Sequence, residues 1–338
     1  RIWNETDDIW MGWERKRGKL SELNDLLLGR AETTFMDTGA RPPEGVRFVV
    51  TLDSDTRLPR GTVAALVGKM MHRITPSLTT GAEASAFQRI FSAGRGMDPY
   101  VFTVSDLYQD LLDSGSFAGK GIYDVAAFEA AMADHFPENA VLSHDLLEGT
   151  LARAALTTDV QMVEDFPIRY DIDAARQHRW VRGDWQLLPF IMDLKNGIDG
   201  LGRMKMVDNL RRSLMAPTWI LASVLGWLVL PSDIVGLWQL GLLATLFFMP
   251  IMNFQSGLMP SQKDVSGARH LGRVASDLGG HLQEIALRMI FMPHQAALMM
   301  DAILRTLWRL LVSRRNLLEW RTARQVQDSG VASQRASW

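Results

Sequence analysis

The stretch "RFVVTLDSDTRLP", Arg47–Pro59, runs an apolar series of β-type residues, Phe48 to Leu52, into two aspartates one position apart, Asp53 and Asp55. A carboxylate is costly to bury unless it is paired or bound to a cation. Both side chains are therefore expected at a strand's end, where something charged can meet them. The flanking pattern agrees. "PPEG" is a turn signal before a strand over 46–52, and Leu58-Pro59 leads into a helix over 61–73. Arg15–Leu28 reads as a helix with a basic start that ends near Gly29. Further on, the pattern predicts a strand over 73–78, helices over 98–112, 125–133 and 145–155, and a strand over 158–164. Such alternation argues α/β with a mostly parallel sheet. Ligands in these sheets bind outside the carboxyl ends of strands, where Asp53 and Asp55 fall.

Composition narrows the function classes. The chain has 338 residues and a net charge of −2, so no basic face for nucleic acid is expected. Cysteine is absent, which excludes disulfides and thiolate metal sites. The chain opens at Arg1 without a signal-like segment, and we expect an internal piece of a longer polypeptide.

The averages hide a split near Met206. Ser213–Ser232 and the run from Ile234 to Gln255 carry no charge. Each is long enough to cross a hydrocarbon core of roughly 30 Å as a helix. The short "PSD" link makes them an antiparallel hairpin, with spans at about 214–230 and 234–252. A pair of buried helices in a soluble protein is the alternative. Arg203, Lys205, Arg211 and Arg212 precede the hairpin, and Lys263, Arg269 and Arg273 follow it, which places both ends in the cytoplasm. Four segments result: 1–206 as a cytoplasmic domain, 207–255 as the hairpin, 256–325 as amphipathic interfacial helices, and 326–338 as a flexible tail. A third span over 281–300 stays open, and Pro293 is expected to break or kink that helix.

Four motifs carry chemistry. Asp53-Ser54-Asp55 places two hard oxygen ligands in a turn, suited to Mg²⁺ or Mn²⁺ in the company of phosphates. A solvated turn is the bland alternative. An aspartyl-phosphate phosphatase of the haloacid dehalogenase-like type is another, with Asp53 as nucleophile and Asp55 as acid/base. In "LSHDLLEG", Leu142–Gly149, Ser143 is a candidate helix cap, Asp145 a general base at the helix start, and Glu148 structural. Ordinary capping and a His-Asp metal pair compete with that reading. "RQHRWVRGDWQ", Arg176–Gln186, interleaves arginines that clamp phosphate with tryptophans that stack on sugars. "GSFAGKGIYDV", Gly115–Val125, has three glycines that let the backbone approach a ligand.

The order of these motifs resembles the processive inverting glycosyltransferases of the GT-A fold, such as cellulose and hyaluronan synthases. Their D-x-D, T/E-E-D and Q-x-x-R-W motifs are matched by Asp53/Asp55, "SHD" ending at Asp145, and "RQHRW" with Arg179 and Trp180. Their K-A-G-x-L-N stretch is echoed by "KLSELN", Lys19–Asn24. His144 and Arg176 depart from the general pattern. Those variants, with "WMGWERKRGKL", "FQRIFS", "GMDPY" and "RTLWRLLVSRRNLLEW", resemble the glucosyltransferase region of the cyclic β-1,2-glucan synthases over nearly the whole chain. The resemblance implies a GT-A-like, Rossmann-like domain truncated at its N-terminus, before Trp3, and shortened around 70–73. It implies a multi-pass enzyme of the bacterial inner membrane that moves glucose from UDP-glucose to a β-1,2-glucan with inversion. It further implies metal and UDP at Asp53 and Asp55, with Lys19 and Arg179 on the donor. Asp145 would be the base, and Trp180, Gly119, Lys120 and Asp124 would meet the acceptor. A non-catalytic membrane scaffold is the remaining alternative.

Overall fold

The computed structural model describes residues 2–30, 33–36, 39, 42–53, 56–69, 73–78, 85–92, 107–117, 119–133, 135–164, 166–258 and 267–319. The tryptophan-rich lead-in is an antiparallel hairpin of β1 (Ile2–Asn4) and β2 (Ile9–Met11), not anticipated from the sequence. The first helix, α1 (Arg15–Leu27), stops where Gly29 takes φ +78°, a conformation glycine adopts without strain. Next come β3 (Phe48–Thr51), β4 (Thr56–Arg57), α2 (Thr62–Lys69), β5 (Arg73–Leu78), α3 (Ala86–Ser92) and α4 (Leu107–Leu112). Then follow β6 (Gly121–Asp124), α5 (Val125–Met132), α6 (Asp145–Leu151) and β7 (Leu156–Glu164). The expected helix over 98–112 is described only at its end, since 98–106 lie outside the described residues.

The expected mostly parallel sheet is not what the described strands form. They make small separate sheets, and only β5 and β7 pair parallel. β3 pairs antiparallel with β6, Thr51 facing Gly121 and Phe48 facing Asp124. The glycine-rich stretch supplies this strand at its end, where Ile122 and Tyr123 bring β-type side chains. Leu66 of α2 packs on Val50, Leu58 and Ile122 and buries one face of this pair.

The second half is helical: α7 (Tyr170–Gln186), α8 (Leu188–Met192), α9 (Gly200–Val229), α10 (Ser232–Leu258) and α11 (Gly267–Trp308), ending in a π-helical turn over Arg309–Ser313. Asp199 caps α9 by accepting from the Gly202 amide at 2.7 Å. The base of α9 is embedded, with Met206 in one core alongside Val141, Leu147, Leu187 and Ile198. Its far end exposes Leu225, Trp227, Leu228 and Val229. α9 and α10 form the expected hairpin. A Cβ on Gly226 would lie 2.3 Å from Trp238, so glycine is required for this approach. The indole nitrogens of Trp238 and Trp219 donate to the carbonyls of Ala222 and Leu242, which pairs their polar atoms within an apolar stretch. Among the described residues α9 is the one helix long and apolar enough to cross a membrane, and Ser232–Phe248 is a shorter apolar segment.

α11 runs unbroken through Pro293, against expectation, and it contains the stretch 281–300 considered as a third span. It does not meet the length-and-apolarity criterion that α9 meets. It docks instead on α7. The rings of Tyr170 and Phe291 stack at 4.0 Å, the Tyr170 hydroxyl lies 2.7 Å from His294 Nδ1, and His178 reaches Asp301 at 2.8 Å. Contacts on both sides of Pro293 offset the hydrogen bond that proline cannot make. Val181, Met299, Ala302 and Ile303 form the core of the junction, with Leu214 of α9 against it.

After the π-turn the chain folds back. Leu317 and Leu318 are buried, and their carbonyls accept from Gln186 and Arg15 at 2.9 and 2.8 Å. Ala302 has no exposed surface, so Ala302→Leu would overpack the α7–α9–α11 junction. That change is expected to cost about 1–3 kcal/mol, seen as a lower melting temperature with the secondary structure retained.

Candidate active site

The strand end and the α6 start meet around the segment before β6. Asp53 follows β3, and two lysines hold it. Lys16 Nζ, from the first turn of α1, lies 2.5 Å from Asp53 Oδ1, and Lys120 Nζ lies 3.2 Å from Oδ2. Lys16 also donates to the Gly119 carbonyl at 3.0 Å. Burial works against ionisation of Asp53, but the two ammonium groups prevail and hold its carboxyl below the usual range.

Gly119 brings the acidic helix start to the same place. It has φ +75°, and a Cβ there would sit 2.8 Å from both carboxylate oxygens of Asp145. Only glycine permits that approach. Asp145 is the first residue of α6, with Glu148 in the same turn, at the positive end of the helix dipole. The cap position is His144, whose side chain makes no capping bond. Ser143, the expected cap, stands one residue before the cap position, and a Cβ on Gly183 would lie 2.3 Å from the Ser143 Cβ, so α7 passes close to this loop.

His144 is buried and its Nδ1 lies 2.8 Å from Glu148 Oε1. The Asp145 carboxylate is 3.8 Å from the same nitrogen and keeps 36% of its side-chain surface exposed. Burial would push the imidazole pKa down, but Glu148 and Asp145 outweigh it and raise it. Burial raises the Asp145 pKa, and the Glu148 and Asp53 charges add to that rise against His144 and Lys16. The ligating atoms of His144, Asp145 and Glu148 lie within 4.8 Å of one another, but Glu148 is committed to the imidazole.

Asp53, Gly119, Lys120 and Asp145 therefore come together. Asp55 lies outside the described residues. Lys19 is exposed on α1, and Lys16, one turn earlier, is the α1 lysine that reaches Asp53. Asp124 sits at the other end of the β3–β6 ladder. It caps α5 through the Ala127 amide and pairs with Arg47, so it does not join the cluster. Arg179 is half-buried on α7, one turn before Gly183 and on the same stripe. Trp180 is 39% exposed and carries the Arg176 guanidinium over its ring at 4.6 Å. Arg182 turns away, toward the carbonyls of Asn316 and Leu317, and burial lowers its pKa to about 10, with Arg309 adding to the effect. Sequence reasoning missed Lys16. The available signal was its position three residues before Lys19, on the same side of a helix.

The result is a polar site that pairs cations for an anionic group with a carboxylate for a hydroxyl. No family model matches the chain. The chain is 54% identical over 356 residues to the cyclic beta-(1,2)-glucan synthase NdvB of Rhizobium meliloti (strain 1021). The match takes in 98% of this chain, which spans 13% of the length of that curated relative. The chain is thus similar, along nearly its whole length, to one region of a cyclic beta-glucan synthase.

The raised pKa values fix a pH response. For both His144 and Asp145 the folded state holds its proton more tightly than the unfolded chain, so stability falls as pH rises through their folded values. The His144 contribution is complete below its ordinary 6.5 and is lost above it. Ionised Asp145 is a cost at neutral pH. Asp145→Asn is therefore expected to melt higher than wild type at pH 7, with the gain vanishing as pH falls toward 3.8. Thermal melts across that range check the sign.

Proposed function

We propose that this chain is the glucosyltransferase region of a cyclic β-1,2-glucan synthase, moving glucose from UDP-glucose to a growing β-1,2-glucan with inversion at C1. The observation that carries the reading is the meeting of Asp53, Lys16 and Lys120 with Asp145 across Gly119. The likeness to a named glucan synthase over 98% of the chain supports it and favours it over a phosphatase or a scaffold.

The donor's diphosphate belongs at the end of β3. Mg²⁺ or Mn²⁺ is proposed there on Asp53 and Asp55. Asp53 supports this reading, as a hard-oxygen ligand that already gathers two positive groups. When bound, such an ion neutralises charge on the departing diphosphate. Arg179 is assigned to the same diphosphate, where a guanidinium fork binds two oxygens at once. Lys120 lies beside it. Lys19 is exposed on α1, and Asp124 is engaged in capping α5.

Asp145 serves as general base. It takes the proton of the acceptor glucose 2-hydroxyl as that oxygen bonds to C1 and the C1–oxygen bond to UDP breaks. A carboxylate with a raised pKa is the stronger base for this step. His144, braced by Glu148, holds the loop that presents it. Gly119 sets the distance between base and donor site, and exposed Trp180 offers a face for the acceptor sugar. The apolar far end of α9, with α10 beside it, is proposed to sit in the bacterial inner membrane, with the site on the cytoplasmic side. The remaining domains of a longer polypeptide would complete the enzyme.

In membranes carrying the full-length polypeptide, labelled UDP-glucose with Mg²⁺ or Mn²⁺ is expected to give β-1,2-linked glucan, and chelation to abolish it. Asp145→Asn should lose transfer by about 10²–10⁴-fold while still binding UDP. Absence of incorporation by the wild-type polypeptide would sink the donor assignment. Gly119→Ala is expected to reduce transfer as well, because its methyl group would push on Asp145.

A further inference from the structure

We infer that Lys205, at the root of α9, is a positioning residue for transfer: it fixes residues 114–117 against α9 and through them sets how Gly119 faces Asp145. The inference rests on the reading of Asp145 as the base and adds a residue to it.

Lys205 is 1% exposed. An ammonium group is costly to bury unless its protons are used. It donates three hydrogen bonds to one segment: to the Ser114 carbonyl at 2.6 Å, the Ser114 hydroxyl at 3.0 Å and the Gly115 carbonyl at 2.8 Å. That is as many as an ammonium group has protons. The ring of Tyr108, on α4, lies 5.0 Å from the same nitrogen. An apolar side chain could fill this space at lower cost, so the ammonium is best explained by what it holds.

Close packing surrounds the segment it holds. A Cβ on Gly149 of α6 would lie 2.4 Å from the Phe117 Cβ, and one on Gly115 would lie 2.7 Å from the Ala154 carbonyl oxygen. A Cβ on Gly202 of α9 would lie 2.3 Å from Thr150 Cγ2, also on α6. α9 therefore touches both the helix that carries the base and the segment that faces it. Contacts of this kind limit how near the pieces come. They do not choose where along α6 the segment stops, whereas directional hydrogen bonds do. Four residues beyond Gly115 stands Gly119, whose missing side chain admits both Asp145 oxygens. Its carbonyl is held by Lys16, a side chain 34% exposed. Lys205 supplies the buried anchor of the same stretch.

A misplacement of about 1 Å, made far from the chemistry, can cost roughly 10²-fold in rate. Lys205→Met keeps an unbranched side chain and removes its donors. In the purified full-length polypeptide it is expected to lower kcat for glucose transfer by roughly 10²-fold. The rate is counted per UDP-binding site, measured by calorimetry at saturating Mn²⁺, and UDP affinity is expected to stay unchanged. Lys205→Arg, which keeps donors, should recover much of the loss. Ser114→Ala removes one acceptor and should show a smaller loss of the same kind, so it decides the matter if Lys205→Met does not fold. In an Asp145→Asn background, Lys205→Met should add little, because the group it positions is gone. Fewer UDP sites with normal kcat per site, a loss confined to UDP affinity, or a loss that adds in full to that of Asp145→Asn overturns the inference and leaves Lys205 a structural residue. Wild-type kcat per site in both Lys205→Met and Ser114→Ala overturns it as well, while the reading of Asp145 stands. Transfer at the wild-type rate by Asp145→Asn itself would remove the base reading, and this inference with it.

Discussion

The site depends on one electrostatic constraint: several acids share a small space and must be held apart or compensated. Asp53, Asp145 and Glu148 approach one another from a strand end and a helix start. Unpaired, their mutual repulsion would open the gap. The chain answers with basic groups distributed unevenly among the acids. Lys16 and Lys120 take Asp53, and His144 takes Glu148. Burial raises the proton affinity of Asp145, whereas the two lysines outweigh burial at Asp53 and lower it there. The asymmetry gives two carboxylates opposite shifts in proton affinity without any difference in residue type.

The supporting structure serves to keep those charges in register. Gly119 and Gly183 remove side chains where two backbones must pass close to Asp145 and Ser143. α7 carries the arginine and tryptophan box across the same loop, and α11 clamps α7 from behind with apolar and aromatic contacts. A buried ammonium, Lys205 at the base of α9, donates to the Ser114 carbonyl and hydroxyl and the Gly115 carbonyl. The segment that leads to Gly119 is thereby tied to the root of the most apolar helix in the described chain.

Much of this was legible in the sequence where the signal was local. The β3 strand running into Asp53, the helix opened by Asp145 and the two apolar arms are encoded by neighbouring residues. What was not legible depends on tertiary choices. The antiparallel pairing of β3 with β6 follows from how distant segments meet, and a glycine-rich stretch conceals a strand by propensity. Lys19 matched a motif by spelling, but the rotational phase of α1 against the strand end selects Lys16. Pro293 reads as a breaker in isolation, yet the docking of Tyr170 on Phe291 and His294 holds the helix through it. The motif residue Asp124 was claimed by helix capping, a local role that its position at the start of α5 made available.

The return of the chain at Leu317 and Leu318 has an architectural consequence. Arg15 donates to the Leu318 carbonyl across 303 positions, and Asp7 accepts from the Asn316 amide at 2.5 Å. With Gln186 donating to the Leu317 carbonyl, this short return segment bridges α1 to α7. Contacts between residues so far apart in the chain form only once the elements between them are in place, so the segment couples the order of the first helix to that of the helical half.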